Sequence, residues 1–244
     1  MAGRGAGAGW AVLTICGALL GWELVVPATV TALWPEASEV QLYAIDKLGF
    51  AVVLAGGLTD RQLWWRCGFA GGLRADAQGL LWPLWLITAF SAMLGFADRD
   101  AGRLLGWFAI SAAVGFGEEG VFRGVIVAAL GIARPRRAVA ISSLLFGALH
   151  LAGLLAPLDP RLIIVQAATA TCLGLVLGSV RLLARSIWPG IIAHTALDFF
   201  GLAAAGSVSD AMAFSRTAVI AAFISAAISL AWVAVLWRRL PAAA

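Results

Sequence analysis

Charge is scarce in this sequence. Asp, Glu, Lys and Arg make up 12% of its 244 residues, against about 25% in an ordinary soluble domain. Hydrophobic residues reach 62% and the mean hydropathy is +0.95. No polar stretch is long enough to make a soluble domain of its own, so the expectation is a single all-α integral membrane domain over residues 1–244. Cysteine is also scarce. Cys16, Cys67 and Cys172 are scattered and lack C-x-x-C spacing, which argues against a disulfide framework or a thiolate zinc site. The formal charge of +4 and the pI near 9.6 do not indicate a nucleic-acid partner, because the basic residues come in short groups between apolar runs rather than along one stripe.

What is abundant is apolar sequence in segments of membrane-spanning length. Taking about 20 residues as sufficient to cross the hydrocarbon core, helices are expected near 10–33, 42–59, 78–97, 104–131, 138–157, 162–181, 186–205 and 217–237. These make a polytopic bundle of about eight membrane helices. The first run shows no clear cleavage site and reads as a retained helix rather than a signal peptide. The second is short and is interrupted by Asp46, Lys47 and the Gly56-Gly57 pair, so a tilted or partial crossing is one expectation. The basic residues fall unevenly. Arg4, Arg61, Arg66, Arg74, Arg134, Arg136, Arg137, Arg181, Arg185, Arg238 and Arg239 lie on one side, against Lys47, Arg99, Arg103, Arg161 and Arg216 on the other. Positive loops stay cytoplasmic, which places both termini inside. The excess of Arg over Lys and the high alanine content point to a bacterial cytoplasmic membrane.

A few ionisable residues interrupt the apolar helices, although a charge at the bilayer centre costs about 2.5–3.5 kcal/mol or more. Glu118, Glu119 and Arg123 lie in the fourth segment, His150 in the fifth, and His194 and Asp198 in the seventh. His150 and His194 are the only histidines. A lone buried histidine or Glu–Arg pair is commonly structural, but three helices bringing such groups to one depth favours a functional site. Helix spacing gives them separate tasks. Glu119 and Arg123, four apart, share a face and can pair, whereas Glu118 points about 100° away toward another helix. An unpaired carboxylate in a partly dry site suits proton transfer. His194 and Asp198 are also four apart, so the carboxylate is expected to accept from one ring nitrogen and orient the other. Gly117, Gly120 and Gly124 are expected to admit a close neighbour.

Read in order, E-E-x-x-x-R at Glu118, Glu119 and Arg123, F-x-x-x-H at Phe146 and His150, and H-x-x-x-D at His194 and Asp198 resemble the three motifs of the CAAX prenyl protease and bacteriocin-processing (CPBP) family. That family includes the type II CAAX prenyl endopeptidase. The resemblance covers roughly residues 104–205 and implies a glutamate-dependent intramembrane endopeptidase that uses no metal or other cofactor. Position by position, it implies that Glu118 and His150 activate a water and that His194 with Asp198 sits at the developing oxyanion. Glu119 and Arg123 would support the site. Many family members carry Asn where this chain has Asp198. A charged carboxylate beside an oxyanion opposes catalysis, so Asp198 is expected to orient His194 or to be protonated.

Two other classes stay open from the residues alone. Zinc held by His150, His194 and Glu118 would make a metalloprotease, although no H-E-x-x-H spacing is present. A proton-coupled transporter could use the same Glu and His residues as a relay, although no duplicated halves are visible. The implied partners are the lipid bilayer and a membrane-associated peptide or protein substrate cut at or near the membrane. The sequence does not single out which peptide.

Overall fold

The computed structural model describes residues 2–131, 133–156 and 158–240, with side chains from Gly7 onward. All regular structure among the described residues is helical. In chain order the helices are α1 (Ala2–Leu33), α2 (Glu39–Asp60), α3 (Trp82–Met93), α4 (Ala101–Glu119), α5 (Val127–Leu130), α6 (Pro135–His150), α7 (Pro160–Ala184), α8 (Trp188–Ala205), α9 (Val208–Ala211) and α10 (Arg216–Arg239). A π-helical stretch, Gly120–Ile126, joins α4 to α5 without a break.

Each of the eight expected segments is present as a helix, with ends displaced by a few residues. Five have the length and composition to cross a membrane: Gly7–Leu33, Glu39–Asp60, Pro135–Leu155, Pro160–Ala184 and Arg216–Arg239. The protein is therefore a polytopic helical bundle. The second segment, in which a partial crossing had been one expectation, is a continuous helix of 22 residues. The third is shorter than expected, because Ala75–Leu81 winds as a 3-10 helix before Pro83 opens α3.

Local chemistry sets the helix starts. Ser38 and Gln41 form a reciprocal capping box on α2, with the Ser38 N–H donating to Gln41 Oε1 at 2.8 Å. Asp100 accepts from the Arg103 N–H at 2.8 Å to cap α4. Asp159 caps α7, and the Arg161 guanidinium that bonds to it holds its carboxyl below the usual carboxylate range. The packing that positions the site runs α6 on α7, α7 on α10 and α4 on α8, with α2 against α4.

The α1–α2 pair carries a polar cluster built around Asp46 and Lys47, which the sequence showed as an interruption of the second segment. Because α2 begins at Glu39, Asp46 and Lys47 stand about 12 Å along it. Lys47 Nζ contacts Glu23 Oε1 of α1 at 2.7 Å and Asp46 Oδ2 at 2.8 Å, and Trp22 Nε1 donates to Asp46 Oδ1 at 2.7 Å. Pro27 lies in the same stretch of α1. Lacking an N–H, it frees the Glu23 backbone carbonyl from the helix ladder. Lys47→Met keeps the apolar stem and removes the charge, leaving two neighbouring carboxylates without their cation. The Glu23 side chain is 36% exposed, so a loss of about 2 kcal/mol is expected rather than the 3–5 of a sealed pair. Thermal unfolding in detergent measures it, and an unchanged midpoint would mark the cluster as a superficial contact.

Candidate active site

The polar motifs converge where the end of α4 and its π-helical continuation pass between α2, α6, α7 and α8. Glycine permits the approach. A Cβ on Gly117 would meet Phe50 of α2 at 2.7 Å, one on Gly120 would meet Leu54 of α2 at 2.6 Å, and Gly124 faces Cys67. The close neighbour expected from these glycines is therefore α2, with the loop after it. A π-helical turn inside an α-helix often marks a functional site, and here it carries Arg123.

Glu119 and Arg123 are almost completely enclosed, at 1% and 0% exposure. Arg123 Nη1 lies 3.1 Å from Glu119 Oε1 but is not aligned for a hydrogen bond, so the contact is an ion pair. The guanidinium stacks over the Phe146 ring, 4.2 Å from its centroid, a favourable cation–π contact. It fits because α7 has glycine at 174, where a Cβ would come within 2.8 Å of Arg123 Nη2. Gly190 of α8 does the same for Glu119 Oε2, at 3.3 Å. Neither glycine belongs to the motifs. The small residues Gly174 and Gly178, four apart on α7, were the available signal.

Glu119 has a second partner. The same Oε1 atom lies 3.0 Å from His194 Nδ1, and a carboxylate can only accept there, so Nδ1 is the donor. This corrects the expectation that Asp198 orients the ring. Asp198 Oδ2 lies 3.6 Å from the other nitrogen, Nε2, and Glu118 Oε2 lies 3.6 Å from that same atom, both beyond hydrogen-bond length. One turn of α8 does place Asp198 beside His194, but the ring's rotamer turns Nδ1 toward α4. Glu118 points away from the Arg123 pair, as the helix geometry requires, and faces His194.

His150 stands one ring away. Its Nδ1 is 2.8 Å from the Phe146 carbonyl oxygen. That oxygen only accepts, so Nδ1 is the donor. Phe146 separates the two histidines, with ring centroids 4.7 Å from His150 and 6.2 Å from His194. Phe146, His150, His194 and Asp198 line one cavity of about 290 Å³, with Gln166, Thr169 and Met212 on its other walls. The structure thus places Glu118, Glu119 and Asp198 within 3.6 Å of His194, sets Arg123 against Glu119, and lines one cavity with His150, His194 and Asp198. Among the described residues no group of three or more His, Cys, Asp or Glu side chains is disposed to hold a metal ion.

Comparison with known families meets this geometry over the same stretch. Residues 100–200 match the family described as type II CAAX prenyl endopeptidase Rce1-like. That segment is Rce1-like. It runs from Asp100, the cap of α4, into α8, and so holds all seven motif residues together with Gly174 and Gly190. The match covers the stretch on which the motifs resemble the CPBP family. No curated protein and no solved structure matches the chain. The helices α1 to α3, including the Glu23–Lys47 cluster, lie outside the Rce1-like segment.

Proposed function

We propose that the protein is a glutamate-dependent, metal-independent intramembrane endopeptidase that hydrolyses a peptide bond of a membrane-associated substrate. It would act as one membrane domain with both termini cytoplasmic. The observation that carries the reading is His194 held from behind by the buried Glu119 while its Nε2 and Glu118 face each other at 3.6 Å beside a cavity. In this mechanism a water enters between Glu118 and His150. One of these takes its proton as the oxygen adds to the peptide carbonyl carbon. The carbonyl oxygen gains the negative charge and accepts from Nε2–H of a doubly protonated His194, whose direction Glu119 fixes by accepting from Nδ1–H. The C–N bond then breaks and the departing amine takes the proton. Asp198, 3.6 Å from Nε2, is compatible with this donor role if it is protonated, or if it turns aside when substrate enters.

The test uses the purified protein in vesicles with membrane-anchored peptides. Cleavage should survive exhaustive chelation, and elemental analysis should find less than one equivalent of zinc. Activity lost to chelator and restored by zinc would move the protein to the metalloproteases. Proton movement across the vesicle without cleavage would favour the transporter reading.

A further inference from the structure

A second cavity, of about 690 Å³, lies at the end of the bundle where the loop after α2 meets the end of α7. Arg66, Arg181 and Arg185 line it, and no Asp or Glu does. Among the described residues no carboxylate comes within ion-pairing distance, 4.0 Å, of any of the three. Arg181 is partly buried and is held in place by the loop itself, with Nε donating to the Cys67 carbonyl at 3.2 Å and Nη2 to the Arg66 carbonyl at 3.4 Å. Gly68, at φ +90°, lets the loop pass under that guanidinium. Arg66 and Arg185 are exposed and Arg181 is partly buried, and three positive charges gathered without a counter-charge favour an anion.

The rest of the lining says what kind of anion. Leu182 and Leu240 supply an apolar wall, and Trp65, 79% exposed, projects at the bundle end as an indole does at the headgroup level of a membrane. A small soluble anion needs only the charges. A lipid uses the charges, the leucines and the indole together. We infer that this cavity binds the headgroup of an anionic phospholipid, its phosphate among Arg66, Arg181 and Arg185 and its glycerol and upper acyl carbons against Leu182 and Leu240. The inference is independent of the proposed peptidase chemistry, because the cavity shares no lining residue with the catalytic one.

The experiment compares retention of phosphatidylglycerol and phosphatidylcholine of identical chains by the purified full-length protein. Native mass spectrometry reads the bound lipid and the thermal midpoint reads its effect. The variant is Arg66→Gln combined with Arg185→Asn. Asn tolerates the left-handed backbone of residue 185, φ 53°, and Arg181 is left to hold the loop. Wild-type protein should prefer phosphatidylglycerol and gain thermal stability from it, and the double variant should lose that affinity by on the order of tenfold or more. Arg103→Gln and Arg161→Gln, away from the cavity, should leave it unchanged. Equal retention of the two lipids, or undiminished phosphatidylglycerol binding in the double variant, would overturn the site. Inorganic phosphate giving the same protection as the lipid would overturn the lipid assignment in favour of a free anion.

Discussion

Glu118→Gln is expected to abolish peptide cleavage while leaving expression and detergent stability nearly unchanged. The two side chains are isosteric. Glu118 is the one carboxylate of the α4 pair that makes no contact with Arg123, and its side chain is 28% exposed, so the amide leaves no enclosed cation without a partner. What it removes is a proton acceptor facing His194 Nε2. Loss of a general base costs about 10²–10⁴-fold, and in a two-group water-activation scheme the remaining His150 has no carboxylate to work with. Matched protein levels, a cooperative thermal transition like that of wild type and a lost cleavage rate constitute the expected result. Cleavage at more than about a tenth of the wild-type rate would remove Glu118 from the chemistry.

The neighbouring substitution should behave in the opposite way. Glu119→Gln takes the charge from an atom that contacts both Arg123 Nη1, at 3.1 Å, and His194 Nδ1, at 3.0 Å. Arg123 then remains enclosed at 0% exposure with the Phe146 and Phe122 rings against it, and breaking such a pair costs about 3–5 kcal/mol. The amide can also present its NH₂ to His194 and turn the ring. A drop in the thermal midpoint and in yield is therefore expected before any effect on rate is read. Arg123→Met in the same background should recover part of the stability, since the stranded cation is gone, without recovering cleavage. A Glu119→Gln protein as stable as wild type would show that the buried ion pair does not stabilise the fold.

The sequence displayed the helices and the motif residues because both signals are local. Apolar runs of membrane length are read directly, and a Glu, His or Asp inside such a run stands out by its desolvation cost. Intra-helix relations followed from the 3.6-residue period, as with Glu119 and Arg123. Relations between helices did not. The bond from Glu119 to His194 joins residues 75 apart, and its existence depends on the rotation of α8 about its own axis and on one rotamer, neither of which leaves a trace in periodicity. The same holds for Glu23 and Lys47, 24 apart. The π-helical turn was hidden for another reason: Gly120–Ile126 continues α4 without a break, and π winding has no residue pattern of its own to set it apart from α-helix.

The Glu23–Lys47 contact also bears on how the chain enters the bilayer in the first place. Presented singly to the insertion machinery, α1 carries an acidic residue and α2 an acidic and a basic one within otherwise apolar stretches, each charge unfavourable by about 2.5–3.5 kcal/mol near the centre. Leaving for lipid as a hairpin, the two helices arrive already neutralised in part, with Lys47 between Glu23 and Asp46. Entry of α1 and α2 as a pair is therefore expected to be less costly than entry of either alone, and α2 supplies the wall against which the glycine face of α4 packs.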